Sequence, residues 1–262
     1  MIEYLNESPL KEPLIFDSHA HYYDERFGGI RDELLSLMPL HGVGGIINCG
    51  CDIESSRQAL SLAKKYEYLY AAVGYHPENL EEKLDFSEIE KMAADKKCVA
   101  IGEIGLDYYW SPEKKQEQKE AFEAQIILAK RLGLPVIVHD RDAHGDTLEI
   151  LLKHKPAGVL HSFSGSPEMA KELVKIGMYI GIGGVVTFKN AKKLPEVVEL
   201  LPEDRLLLET DAPFLAPVPF RGKANNSAMI YLTAEKIAEI KKCDTISILN
   251  TAFDNAKRLF GL

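Results

Sequence analysis

Two histidines one residue apart, His19 and His21, lie in the stretch FDSHAH at residues 16 to 21. Alternate side chains of a β-strand share one face, so a strand over residues 14 to 21 would direct Asp17, His19 and His21 to the same side. Converging neutral imidazoles are common ligands of zinc and other transition metals. The alternative is a pair of hydrogen-bonded histidines at a strand end. The metal site is favoured over the hydrogen-bonded pair if the chain has further ligands and a fold that brings them together.

Other residues with metal-binding side chains follow further apolar runs of the chain. Each lies near the end of a run rich in Val, Ile, Leu and Gly, where a side chain would emerge from a buried strand. Burying so many imidazoles and carboxylates without partners would cost several kcal/mol apiece, which favours a shared cation. These residues are His76, Glu103, Asp107, His139, His161 and Asp211.

Four imidazoles and two carboxylates are enough for two divalent ions if one carboxylate bridges them. Glu103, on a middle strand, is the predicted bridge. Asp211, in the stretch LLLETDAP, could both bind a metal and accept the proton of a metal-activated water, which makes these two residues the catalytic candidates. The alternative for Asp211 is a turn aspartate that caps the next segment.

Eight short apolar runs must position these residues, and helix-like segments separate the runs. Such alternation predicts parallel pairing through right-handed crossovers. Eight units in about 250 residues predict an α/β fold, a (β/α)8 TIM-type barrel, with active-site residues at the carboxyl ends of its strands. The predicted strands are residues 14–21, 44–50, 69–77, 98–107, 134–141, 157–165, 178–184 and 205–213.

Two helical stretches follow the eighth predicted strand. In the last one, apolar residues recur at helical spacing and are expected to close the barrel rather than bind a partner. They are Ile246, Leu249, Phe253, Ala256 and Phe260. With no linker, low-complexity tract or repeat in the sequence, residues 1–262 are predicted to form a single hydrolase-barrel domain.

Composition and charge limit the class of protein. Of the 262 residues 46% are hydrophobic, as in ordinary globular proteins. No apolar run reaches the length of a membrane span, and the first residues lack the pattern of a signal peptide, so we expect a soluble cytoplasmic protein without a membrane partner or an obligatory protein partner. A net charge of −9 argues against a general nucleic-acid coat, but a local site with metal ions stays possible.

Seven motifs, in chain order, resemble those of the TatD-like metal-dependent deoxyribonucleases of the amidohydrolase superfamily. They are FDSHAH, VGYHP, IGEIGLDYY, LPVIVHDRDA, GVLHSFSG, LLLETDAPFLAP and PFRGK, and they span nearly the whole chain. The resemblance implies a TIM-type barrel that hydrolyses phosphodiester bonds in DNA, often from an end, using divalent metal. It implies one metal held by His19, His21, Glu103 and Asp211, and a second held by Glu103, His139 and His161.

Substrate-binding residues are less specific. His76 matches a family histidine near the site and is expected to contact the substrate or support a ligand. Arg141, Arg221 and Lys223 follow strand ends or lie in the loop after the eighth strand, where they would contact DNA phosphates. The alternative for each is a solvated basic residue. Aromatic residues at 108–110 could stack on an unpaired base or pack on the barrel.

The chain departs from the family pattern in three places. After PFRGK the family commonly continues with Arg-Asn-Glu-Pro, whereas residues 224–228 read ANNSA, so a basic and an acidic group are missing from the predicted DNA-binding loop. Glu78 stands where a second histidine is frequent, and Ser162 where cysteine is common. All six predicted ligands are present, which favours retained metal binding.

Two other functions and three metals fit the same residues. One alternative is a small-molecule amidohydrolase or esterase of the same superfamily, and the other is a metal-binding protein without hydrolase activity. A tight, capped pocket would favour the small-molecule enzyme, and an open groove lined by the three basic residues would favour DNA. Histidine-rich ligation favours zinc or manganese, while phosphodiester chemistry also permits magnesium.

Overall fold

The apolar runs of the sequence form eight parallel strands, which pair in chain order and alternate with helices. The computed structural model describes residue 10, residues 12–80 and residues 84–262. Within them the chain is a TIM-type (β/α)8 barrel, as predicted. The strands are β1 (Ile15–Ala20), β2 (Val43–Cys49), β3 (Leu69–Val73), β4 (Cys98–Asp107), β5 (Val136–Arg141), β6 (Gly158–Leu160), β7 (Tyr179–Ile182) and β8 (Leu206–Leu208).

Helices cover the outside of the barrel. They pack apolar side chains such as Leu34, Ile89 and Phe122, all fully buried, against the outward faces of the strands. The helices are α1 (Arg31–Leu37), α2 (Ile53–Lys65), α3 (Phe86–Ala93), α4 (Lys115–Leu132), α5 (His144–His154), α6 (Pro167–Lys175), α7 (Leu194–Leu200), α8 (Ile230–Lys241) and α9 (Thr245–Phe260).

The joint between the first and last strands lies beside the predicted ligands. Ala20 forms a parallel bridge with Ala212. The backbone N–H of Asp211 donates to His19 O at 2.9 Å, and the N–H of His21 donates to Ala212 O at 2.7 Å. The closure of the barrel therefore brings His19, His21 and Asp211 to one place.

Several strands end earlier than predicted. β3 stops at Val73 because side chains of neighbouring helices then take over its backbone: Gly74 N–H donates to Ser56 Oγ at 3.3 Å, and Tyr75 N–H donates to Gln125 Oε1 at 2.8 Å. After β6 and β8 the chain turns out of the sheet, with φ of +45° at Ser162 and +57° at Asp211. Apolar composition extends past these turns, so the predicted ends were wrong by several residues.

The last helix closes the amino end of the barrel. Phe16 of β1 stacks on Phe260 at 6.3 Å between ring centroids and meets Phe253 edge-on at 5.9 Å. Leu249 and Ala256 are buried as well. The predicted closing role is thus confirmed for these residues, but Ile246 is 37% exposed because it begins the helix outside the packed face.

Within the described part of the chain, no helix combines the length and the hydropathy needed to cross a bilayer. The single-domain prediction covers residues 1–262, of which residues 1–9, 11 and 81–83 lie outside the described residues. It stays a prediction.

Candidate metal centre

The histidine pair of β1 converges as the alternation of a strand requires. His19 and His21 are buried, and their Nε2 atoms lie 2.9 Å apart. The third predicted member, Asp17, does not join them. Its carboxylate accepts hydrogen bonds from the hydroxyls of Thr210 and Ser227, each at 2.6 Å, so Asp17 instead ties β1 to the chain after β8.

Glu103 of β4 lies at the centre of the site with one carboxylate oxygen toward each of two histidine groups. Its Oε2 atom is 3.2 Å from His19 Nε2 and 3.6 Å from His21 Nε2. Its Oε1 atom is 2.8 Å from His161 Nε2, 2.9 Å from His139 Nδ1 and 3.4 Å from His76 Nε2. A carboxylate that divides its oxygens in this way can bridge two ions.

Asp211 completes the first group. Its Oδ1 atom is 3.3 Å from His21 Nε2 and 3.6 Å from His19 Nε2. The left-handed backbone at this residue, rare for a non-glycine side chain, turns the carboxylate into the barrel mouth. The structure therefore brings the six sequence-predicted metal ligands together. His76 lies in the same cluster, in direct contact with Glu103 and not behind another ligand.

Several side chains hold the histidine rings from outside. Asp107, fully buried, has Oδ2 2.9 Å from His139 Nε2, which leaves His139 Nδ1 facing Glu103. Glu209, also buried, has Oε1 3.7 Å from His161 Nδ1. The hydrogen bond between His139 and Asp107 is of the kind that fixes ring orientation and tautomer in metal sites, whereas Glu209 lies beyond hydrogen-bond distance of His161.

Sequence reasoning missed two members of this surrounding layer. Glu209 precedes the Thr210-Asp211 pair in the ETD stretch, and its period-2 relation to Asp211 was the available signal. Cys51, two residues beyond β2, has Sγ 3.4 Å from Tyr23 Oη and 4.0 Å from Glu103 Oε2. Nothing in its sequence context pointed to the site.

The electrostatics of the cluster suit a cation. Burial alone would raise the pKa of Glu103, but the surrounding histidines, His161 and His19 foremost, hold it well below its ordinary value. Burial and the charge of His161 lower the pKa of His19. Carboxylate oxygens and imidazole nitrogens form the donor set that binds divalent transition metals, and a metal that binds displaces the protons of the imidazoles.

The distances between the donor atoms also suit a bound cation. Among the described residues, four groups of three have ligand atoms within 4.8 Å of one another, and three of the four include Glu103. They are His19, His21 and Asp211; His19, Glu103 and His161; His21, Cys51 and Glu103; and His76, Glu103 and His139. The Nε2 atoms of the β1 pair face each other so closely that only one could carry a proton between them. A shared ion satisfies both lone pairs.

A cavity of about 610 Å³ opens above the centre. Arg141 lines it, and the guanidinium of Arg141 lies 4.0 Å from the ring centroid of Tyr109 and 5.4 Å from that of Trp110. These rings are 52% and 58% exposed, so they stand out from the barrel instead of packing on it. Phe214 forms another part of the wall, a contribution that the sequence did not reveal.

The other two predicted DNA-binding residues lie elsewhere. The guanidinium of Arg221 sits 4.5 Å from the ring centroid of Phe188, and the ammonium of Lys223 sits 5.6 Å from that of Phe220. Neither residue is among those that line the cavity. Their contact with substrate stays a prediction, whereas Arg141 and His76 both border the cavity.

Known proteins resemble the chain over almost its full length. Residues 16–261 match the family model described as TatD related DNase. The chain is 42% identical over 254 residues to the uncharacterized metal-dependent hydrolase YabD of Bacillus subtilis, an alignment that covers 95% of this chain and 100% of that protein. It is 37% identical over 254 residues to the uncharacterized metal-dependent hydrolase YcfH of Escherichia coli, covering 95% of this chain and 96% of that protein.

A solved structure agrees with these relatives. The crystal structure of YJJV, a TatD homologue from Escherichia coli, superposes with a TM-score of 0.90 at 34% identity, covering 95% of this chain and 99% of that chain. An amidohydrolase from Saccharomyces cerevisiae superposes with a TM-score of 0.78 at 20% identity, which establishes likeness of fold alone.

Proposed function

The chain belongs to the TatD-related family of metal-dependent hydrolases, and from that premise we propose that it is a deoxyribonuclease that removes nucleotides from an end of DNA. The observation that carries this proposal is the division of the Glu103 carboxylate between two histidine groups. Phosphodiester hydrolysis uses such paired ion sites to hold the attacking and leaving oxygens of one phosphate.

The residues that would hold the ions follow from the contacts. His19, His21, Asp211 and Glu103 Oε2 form one position. The other position comprises Glu103 Oε1, His139 and His161, with His76 at its edge. Divalent ions there, two per chain and drawn from Mg, Mn or Zn, would neutralise phosphate charge and lower the pKa of the attacking water.

Residues at the cavity would act on the attacking water and on the substrate. Asp211, which lines the cavity and has 19% of its side chain exposed, would accept the proton released by the attacking water. Arg141 on the cavity wall would bind a phosphate oxygen of the DNA strand. The exposed rings of Tyr109 and Trp110 beside it, which meet edge to face, would take a base, since every base offers a face for stacking.

End-labelled single-stranded DNA, incubated with added magnesium, manganese or zinc, tests the proposal. We expect the wild type to produce a metal-dependent ladder that is lost in Asp211→Ala and kept in Asp254→Ala, a control at an exposed position on α9. Metal analysis of the purified protein should give two ions per chain. Bound metal without DNA cleavage under any condition would refute the deoxyribonuclease and direct a screen of small esters and amides.

A further inference from the structure

A second cavity adjoins the metal centre on the side of β6 and β7. Its volume is about 420 Å³, within the range of small-molecule sites. Ser162 and Ser164 line both this cavity and the one above the metal centre. The two cavities therefore border each other at these two serines, and an extended ligand that passes over the serines would occupy both.

The outer wall of the second cavity is basic and polar. Lys192 and Lys193 come from the segment between β7 and α7, together with Asn190. Both lysines are exposed. Across the described ranges, no carboxylate forms an ion pair with either lysine within 4.0 Å. The described residues that line this cavity include these two cations and no acidic residue, which gives the cavity a local preference for anions, although Glu168 is near enough for the charge of Lys193 to help lower its pKa.

The inner wall is tied to a predicted metal ligand. Ser162 follows His161 directly and has a φ of +45°, a strained value for serine. Its backbone N–H donates a hydrogen bond to the carboxylate of Glu209, the same group that lies 3.7 Å from His161 Nδ1. The wall that the two cavities share thus has a fixed position relative to the metal centre.

We propose that the second cavity is a phosphate-binding subsite that holds the phosphodiester next to the one that is cleaved. The proposal rests on the deoxyribonuclease function proposed above. Lys192 and Lys193 would supply the positive charge, and the polar groups of Ser162, Ser164 and Asn190 would supply hydrogen-bond donors. The substrate is accordingly a chain of at least two phosphodiesters, and a substrate with one phosphate leaves this cavity empty.

The double variant Lys192→Gln/Lys193→Gln tests the subsite with three measurements. The first is the KM and kcat for a single-stranded oligonucleotide, and the second is kcat/KM for bis(4-nitrophenyl) phosphate, which has one phosphodiester. The third is oligonucleotide affinity by fluorescence anisotropy over a range of salt, with Asp211→Ala introduced to prevent cleavage. Lys242→Gln/Lys257→Gln, at exposed positions at the ends of α8 and α9, removes the same charge elsewhere.

We expect the subsite variant to raise the oligonucleotide KM and Kd about tenfold, which corresponds to about 1.4 kcal/mol, with kcat unchanged. The salt slope of log Kd should fall by about 0.7, the value for one phosphate contact on single-stranded DNA. The activity of the subsite variant on bis(4-nitrophenyl) phosphate should stay within twofold of the wild type. The control variant should stay within twofold of the wild type in oligonucleotide KM and Kd and in activity on bis(4-nitrophenyl) phosphate.

Three outcomes would overturn the subsite. An unchanged oligonucleotide KM and Kd would refute it while the deoxyribonuclease function stands. An equal loss of activity on bis(4-nitrophenyl) phosphate would mean that the lysines act on the metal centre itself. A wild type that neither binds nor cuts the oligonucleotide, yet hydrolyses the small diester, would remove both the subsite and the proposed DNA substrate.

Discussion

The contact between Asp107 and His139 makes a sharp prediction about metal affinity. Asp107 Oδ2 lies 2.9 Å from His139 Nε2, and the other oxygen, Oδ1, accepts the backbone N–H groups of Tyr109 at 3.0 Å and Trp110 at 2.8 Å. In Asp107→Asn these two N–H groups keep the amide oxygen in place. The amide nitrogen, a donor, must therefore face His139.

The reversed hydrogen bond favours the His139 tautomer that cannot bind a metal through Nδ1. To accept from the new amide, His139 Nε2 must be unprotonated, so the proton resides on Nδ1, the atom 2.9 Å from Glu103 Oε1. A metal that binds Nδ1 must expel that proton or break the amide hydrogen bond. Losing a hydrogen bond to a charged group costs about 1.5 to 3 kcal/mol, which is about 10- to 100-fold in affinity.

Calorimetric titration of the metal-free variant with zinc or manganese provides the measurement. We expect two binding events in the wild type, and in Asp107→Asn one event of unchanged affinity and one weakened 10- to 100-fold. Asp146→Asn is the matched control, because Asp146 pairs with Tyr108 and Lys119 outside the centre. Two events within threefold of the wild type in Asp107→Asn would refute the orientation argument.

Three further predictions concern pH, packing and backbone. Although burial opposes protonation, hydrogen bonds to Asp107 and Glu103 raise the pKa of His139 to about 9. Since the proton competes with the metal for this ring, metal affinity measured by chelator competition should rise up to tenfold per pH unit between about pH 7 and 9. A metal affinity that does not change with pH would contradict this. Phe16→Ala should lose about 3 to 5 kcal/mol in urea unfolding, against under about 0.5 for the exposed Ile246→Ala, and equal losses would argue against the aromatic closure. A Cβ at Gly105, where φ is +145°, would collide with the carbonyl oxygen of His139, so Gly105→Ala should unfold or lose metal binding in thermal and metal assays, whereas Gly145→Ala, with open space around it, should not.

The barrel and the proposed ligands were predictable because one signal carries both. Most of the ligands follow an apolar run, and the carboxyl ends of parallel strands share one rim, so His139 and His161 could be placed together from the sequence alone. The strand ends could not be placed, because apolar residues recur beyond them: β8 ends at Leu208, yet the apolar stretch APFLAP follows the left-handed turn at Asp211.

Loop paths and the surrounding layer depend on contacts that the sequence does not show. Val218 N–H donates to Thr187 Oγ1 at 2.9 Å, which joins the loop after β8 to the segment after β7. Such pairings decide which side of the mouth Arg221 occupies. Glu209 and Lys193 are similar cases, since an acid after a strand and a lysine in a loop are ordinary surface residues until the chain is folded.

The joint between the first and last strands has a consequence for how the protein is made. Asp17 and Thr210 are 193 positions apart along the chain, and Asp211 reaches His19 across the same joint. During synthesis the histidine pair leaves the ribosome long before its carboxylate partner exists. Closing such a long loop comes late in folding. The nascent chain therefore cannot assemble the complete ion site, and tight metal uptake should begin only after the eighth strand has been added.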